Sequence, residues 1–146
     1  MQDPPKEIAQ AVLLVNGAYA LQLRDDTPAV AARGMWALFG GALEEGESPE
    51  AALRREISEE LGIHLTECRL LWQVDRYSEF WGDVLRYWFF VTDVTPLWPF
   101  HIVREGQAAR LFTIDDLPTT GVHPLIREVL DRHHAKRKDH PLEQGP

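Results

Sequence analysis

The order of hydrophobic and polar positions changes period several times along the chain. "IAQAVLLVNG" followed by "AYALQLR" predicts two strands turning at Asn16-Gly17, a strong hairpin signal. "DDTPAVAARG", residues 25–34, reads as a loop. "MWALFGGALEEGE" reads as short extended pieces broken by Gly40, Gly41 and Gly46. "CRLLWQVDRY" and "VLRYWFFVTDV" are rich in β-branched and aromatic residues and predict two long strands joined by "SEFWGD". Tyr87, Trp88, Phe89 and Phe90 are expected mostly in the core. "ARLFTIDDLP" predicts a strand and then a turn, and "HPLIREVLDRHHAKR" a closing helix with Leu125, Ile126 and Val129 inward. The run "HHAKRK" reads as its solvated end. The ordered core is expected over residues 6–137, and the tail "KDHPLEQGP" reads as disordered.

One earlier stretch has helical period. Leu53, Ile57 and Leu61 recur every four residues and form one apolar stripe. Ser48 suits the N-cap, Pro49 the first helical position and Gly62 the C-terminal turn. Strands dominate, with two helices far apart in sequence. The expected class is therefore α/β or α+β with a mixed sheet.

Composition narrows the class. A chain of 146 residues fits one domain with a full core, and 45% hydrophobic with 26% charged residues is ordinary for a globular protein. No apolar run reaches the roughly 18–20 residues of a membrane helix. The polar start "MQDPPKEIAQ" is not expected to act as a signal peptide. The single cysteine, Cys68, excludes an internal disulfide, reads as a small buried residue and suits a reducing cytoplasm. The net charge of −8 argues against binding long nucleic acid, which needs a basic surface. It leaves room for a small anionic substrate if a cation bridges the two.

The predicted helix carries an unusual charge pattern in "RREISEELG". Glu56 lies three and four positions before Glu59 and Glu60, where like charges cost roughly 0.2–0.5 kcal/mol per pair. On a wheel with Leu53 at zero, Glu60 falls near roughly −20°, Glu56 near −60° and Glu59 near −120°. The glutamates thus flank the buried stripe, and Glu60 sits at the edge of the core, where a charge is costly unless paired or bound to metal. Ala52 falls inside the patch and would leave room for an approaching group. Arg55 can pair with Glu59 but cannot balance three carboxylates. The remainder calls for a divalent cation, and hard oxygen ligands point to Mg²⁺ or Mn²⁺. A merely solvated charged helix face is the competing reading.

Residues 41–63, "GALEEGESPEAALRREISEELGI", resemble the Nudix box: glycine, five residues, glutamate, seven residues, then Arg-Glu-apolar-x-Glu-Glu-x-Gly-apolar. Gly41, Glu47, Arg55, Glu56, Ile57, Glu59, Glu60, Gly62 and Ile63 meet every fixed position. The resemblance implies an α/β/α sandwich with a mixed β-sheet. It also implies a Mg²⁺-dependent pyrophosphohydrolase, with Mn²⁺ as a substitute, in which water attacks a phosphorus of a nucleoside diphosphate linked to another group. By position, Glu56, Glu59 and Glu60 correspond to metal ligands, with the Gly41 carbonyl beside them and Glu47 outside. Arg55 would orient the glutamates. The general base differs among members; Glu59 is one choice and Glu105, in "REGQAARLF", another. Phe39 stands where many members have proline, so it either loosens the loop or packs on substrate.

Substrate signals are thinner. Arg24 could contact phosphate, as could Arg76 and Arg86, although bland surface roles fit them equally. Trp36 is a loop anchor or a base-stacking surface. Trp81, beside Phe80 at the expected hairpin tip, could stack on a base or bury itself in a dimer, a common assembly in the family. Ser78 stands near the place of a proline frequent in members acting on ADP-ribose. Tyr77 falls slightly early for members acting on dinucleoside polyphosphates, and no coenzyme A signature is evident. A nucleotide sugar or a canonical or oxidised nucleoside triphosphate remains. A non-catalytic sensing domain and an isoprenoid diphosphate isomerase using Cys68 are the competing functions.

Overall fold

A computed structural model describes residues 5–139. In chain order they form strands β1 (Glu7–Val15), β2 (Ala18–Leu23), β3 (Trp36–Ala37) and β4 (Phe39–Ala42), helix α1 (Pro49–Leu61), and strands β5 (Arg69–Ser78) and β6 (Asp83–Asp93). A 3-10 turn (Trp98–Phe100), strand β7 (Ala108–Phe112) and helix α2 (Pro124–Asp139) complete them.

The β1–β2 hairpin turns at Asn16-Gly17 with φ of 50° and 81°, the left-handed pair that a tight two-residue turn demands. β1 is the hub of a seven-stranded mixed sheet among the described residues. One edge pairs in parallel with β6, which pairs antiparallel with β5. The other edge is shared: Ile8–Ala11 pair with β4, and Leu13–Val15 with β2. β2 then continues onto β3 at Gln22 and Leu23, with β7 on its far edge. The sheet therefore splits between β3 and β4, with Leu38 in the gap.

The sequence reading expected Gly40 and Gly41 to break the extended pieces, but both lie inside β4. Gly40 has φ of 138°, and a Cβ there would stand 2.1 Å from the Ala9 carbonyl oxygen. Only glycine lets the two backbones approach so closely.

Side chains alternate along β1 so that both faces are covered. Ala9, Ala11 and Leu13 meet Phe39, Leu53, Ile57 and Leu61 under α1. Val12 and Leu14 meet Tyr19, Leu21, Phe89, Val129 and Leu130 under α2. The result is the expected α/β/α sandwich. Each fully buried Leu, Ile or Phe contributes about 1.5–3 kcal/mol relative to exposure. Small residues at Ala9, Ala11, Ala20 and Ala52 let α1 sit close to the sheet. Ala52 is completely buried, so it leaves no open space beside the carboxylates as the wheel had implied.

α1 forms as its ends predict. The Ser48 hydroxyl accepts from the Ala51 N–H, and Gly62 closes the helix at φ of 69°, donating to the Ser58 carbonyl. α2 runs through Asp139, so Lys138 and Asp139 are helical where a tail was expected; the tail from residue 140 lies outside the described residues. The "HHAKRK" stretch is not wholly solvated, because His133 is 1% exposed. Its helical position turns it onto Tyr19, whose hydroxyl lies 2.8 Å from Nδ1.

Candidate active site

Arg55 organises the acidic end of α1. Its Nε and Nη2 donate to the two Glu47 carboxylate oxygens at 2.8 and 2.9 Å. Nη1 reaches Glu56 at 2.9 Å and Glu59 at 3.4 Å, and Nη2 also donates to the Ala42 carbonyl at 3.1 Å. Planar donors on one guanidinium thus tie the loop after β4 to the helix. The Arg55 hydrogen bonds, joined by the Glu44 N–H, hold the Glu47 carboxyl down at about 2. Glu47 therefore braces the loop, a role compatible with a place outside the metal.

Glu56 and Glu60 face inward. Glu56 packs on Gly41 so closely that a Cβ there would lie 2.5 Å from its carboxyl carbon. Burial raises its pKa, opposed by Arg55 and reinforced by the charges of Glu59 and Glu105. Glu60 is 2% exposed. Its Oε1 accepts from the Gly40 N–H at 3.0 Å and its Oε2 from Gln22 Nε2 at 3.3 Å. Burial, then the Glu56 charge, pushes its pKa up to about 8 despite the Gly40 N–H. Glu59 is half-exposed on the outer side of Arg55.

The segment after the 3-10 turn closes the other side. The Ile102 and Arg104 N–H groups donate to the Leu61 and Glu60 carbonyls, both at 3.0 Å. These bonds cap the end of α1 and carry Glu105 within electrostatic reach of Glu56 and Glu60. Arg24, Asp25, Val30, Arg104, Glu105 and Gly106 line a cavity of about 340 Å³ here. Arg24 draws the Glu60 pKa down and so lies near that carboxyl.

The structure thus brings together Gly41, Glu47, Arg55, Glu56, Glu59, Glu60, Arg24 and Glu105. Phe39 does not join them. It is 1% exposed, paired with Ala11 and packed under α1, so its side chain has no surface for substrate. Trp36 anchors the α2 side: its N–H donates to the Gly121 carbonyl at 2.7 Å and its ring meets Phe112 edge-on. Trp81 packs edge-on against Phe80 at the β5–β6 turn. Arg76 and Arg86 are committed to Glu128 and Asp75. Cys68 is half-buried and lines a different cavity, with Glu50, Arg54 and Glu67. Gln22 and Arg104 escaped the sequence reading; the one available signal was a polar residue at Gln22 within the apolar run "AYALQL".

The donor set fits a hard divalent cation: carboxylate oxygens, a backbone carbonyl and a glycine that leaves them room. No three or more His, Cys, Asp or Glu side chains among the described residues are already arranged as a cage. The carboxylates instead satisfy Arg55, Gly40 and Gln22, and ligation requires them to turn.

An acid-rich helix, entered after a glycine pair and docked on a mixed sheet between two helical layers, defines a class of α/β/α proteins with carboxylates gathered along that helix. The NUDIX domain model matches residues 5–133, and the chain belongs to this family. It is 55% identical over 38 residues to the 8-oxo-dGTP diphosphatase of Proteus vulgaris, covering 26% of this chain and 34% of that protein. It is 47% identical over 61 residues to the nucleoside triphosphatase NudI of Enterobacter sp. (strain 638), covering 41% and 42%. These matches span less than half the length of either relative. The MutT NUDIX hydrolase structure from Burkholderia pseudomallei is 28% identical, with a TM-score of 0.73 over 89% of this chain and 98% of that one. The MutT protein of Methanosarcina mazei Go1, 20% identical, shares the fold with a TM-score of 0.78 over 94% and 99%.

Proposed function

We propose that the chain is a divalent-cation-dependent pyrophosphohydrolase acting in the cytoplasm on a nucleoside triphosphate, canonical or oxidised. The supporting observation is the convergence of buried Glu56 and Glu60, Arg55-bound Glu59, Glu105 and Arg24 beside one cavity. The names of the partial relatives favour triphosphates over nucleotide sugars. The separate position of Cys68 favours hydrolysis over isomerisation.

Glu56, Glu59, Glu60 and the Gly41 carbonyl would hold the cation, Mg²⁺ or its substitute Mn²⁺, with Glu47 bracing from outside. When bound, such a cation polarises phosphoryl oxygens and acidifies water. Arg24 donates charge-assisted hydrogen bonds to phosphate oxygens. Glu105 takes a proton from the attacking water, and Glu59 is the alternative base. The water oxygen forms a new bond to phosphorus as the anhydride P–O bond breaks. Trp36 and Trp81 are the stacking surfaces proposed for the base; Trp81→Ala should raise KM, whereas loss of a dimer in sizing chromatography with KM intact assigns Trp81 to an interface.

The test is incubation of the purified protein with pooled nucleotide sugars, canonical and oxidised nucleoside triphosphates and dinucleoside polyphosphates, with and without Mg²⁺. Mass spectrometry should find metal-dependent loss of triphosphate and gain of monophosphate. H₂¹⁸O identifies the phosphorus attacked. No turnover by a folded protein that still binds Mg²⁺ would favour a sensing domain.

A further inference from the structure

Gln22 is a buried polar group beside Glu60 that the catalytic scheme leaves without a role. It is 1% exposed, in the middle of a sheet where an apolar side chain would serve packing better. Its Nε2 donates to the Leu38 carbonyl at 2.9 Å and to Glu60 Oε2 at 3.3 Å. Turning the amide over would set its oxygen against those two acceptors, so the orientation is determined by its neighbours. Its Oε1 is buried and has no hydrogen-bond partner. Such an atom is costly, and leucine would avoid that cost. The side chain therefore exacts a stability penalty that needs a counterpart.

That counterpart is at the metal site. Ala20 and Gln22 point to the α1 face of β2, because strand side chains alternate. This puts Gln22 across from Glu60, while Gly40 holds the other carboxylate oxygen. Glu60 is thus held from both oxygens by donors outside its own helix. The unpartnered Oε1 faces the loop that carries Glu105. A Cβ on Gly106 would lie 3.3 Å from it and 2.8 Å from the Leu23 carbonyl oxygen. Gln22 touches the approach to both carboxylates.

We propose that Gln22 is a positioning residue of the cation site, orienting Glu60 by its Nε2–H. This rests on Glu60 being a cation ligand, as the proposed function requires. Partners that orient a ligating carboxylate govern metal affinity, and losing one weakens binding about tenfold to a hundredfold. A side chain that only stitches the gap between β3 and β4 would instead govern stability.

The experiment measures free Mn²⁺ by electron paramagnetic resonance during titration of wild type, Gln22→Leu and Gln22→Asn, with Tm of each without metal. Asparagine keeps the amide but falls one methylene short of Glu60. Both variants should raise the Mn²⁺ dissociation constant about tenfold or more, while Gln22→Leu stays folded at the assay temperature with a lowered Tm, because the Leu38 carbonyl loses its donor. Placed on Glu60→Gln, Gln22→Leu should weaken Mn²⁺ no further. Unchanged Mn²⁺ affinity in either folded variant overturns the proposal and leaves the hydrolase reading standing. Loss of fold in both assigns Gln22 to the stitch and also overturns it. Weakened Mn²⁺ binding in a protein that hydrolyses no nucleotide upholds the proposal and removes the hydrolase reading. Absence of Mn²⁺ binding by wild type removes both.

Discussion

Glu60 and His133 lie on opposite faces of the same sheet, and both are almost completely buried. Loss of water acts on them in opposite directions: it raises the carboxyl to about 8 and lowers the imidazole to about 4. Under α2 the conflict is resolved. His133 stays neutral near pH 7, accepts or shares a hydrogen bond with Tyr19 and becomes ordinary core. Under α1 it is not resolved. Gly40 and Gln22 offer donors that suit a charged Glu60, while Glu56 and Glu105 oppose that charge. A buried carboxyl perturbed by desolvation and by like charges beside a cavity is a functional-site candidate.

The sharpest way to break this comparison is Glu60→Gln. Metal-dependent turnover should fall roughly a thousandfold, the scale of a Lewis-acid contribution of several kcal/mol. Tm without metal should hold or rise, because a repelled carboxyl is gone. Wild-type turnover in the variant would dismiss Glu60 as a ligand.

Arg55→Ala comes next. It removes the guanidinium shared by Glu47, Glu56 and Glu59, and activity should drop about tenfold to a hundredfold. Arg55→Lys should recover little, since one ammonium cannot reproduce the fork. Full recovery in steady-state assays would show that charge alone suffices.

The adjacent glycines separate fold from site. Gly40→Ala meets the Ala9 carbonyl and should cost about 2–3 kcal/mol in denaturant unfolding. Gly41→Ala meets the movable Glu56 carboxyl, so Mn²⁺ affinity should fall more than stability does. Equal losses of both quantities in the two variants would erase the distinction.

The smallest effect belongs to His133. The unfolded chain takes up its proton near pH 6.5, while the folded chain resists until about 4. Its contribution to stability therefore declines as pH falls through that window and levels off below it. The raised Glu60 and Glu56 carboxyls act with the opposite sign over pH 7 to 5, so the His133 part is read as a difference: on acidification Tm should fall less, or rise more, in His133→Gln than in wild type. His123, also lowered by burial, leaves a residual slope of the same sign. An identical slope in the variant would mean that His133 titrates normally.

Local chemistry was legible in the sequence wherever neighbours in the chain are neighbours in space. The Asn16-Gly17 turn, the Ser48 and Gly62 caps and the Arg55–Glu59 pairing all span a few residues. Ala52 was misplaced on the helix wheel, whereas His133 was read with a polar run at a helix end. A helix wheel ranks directions around one axis, but the width of the buried face depends on how closely the sheet approaches. Phe39 was drawn toward substrate by its place in a motif, whereas its strand register with Ala11 turns it into the core.

From sequence alone, the protein's class and its acid-rich helix were determined, because each depends on side-chain type and short-range spacing. Tertiary structure alone decided which carboxylate is desolvated and what holds it. Gln22, Gly40, Glu60 and Glu105 come from three strands and loops and one helix, up to 83 positions apart by residue number. Their mutual electrostatics depend on distance and exclusion of water, and only the split of the sheet between β3 and β4 brings that distance about.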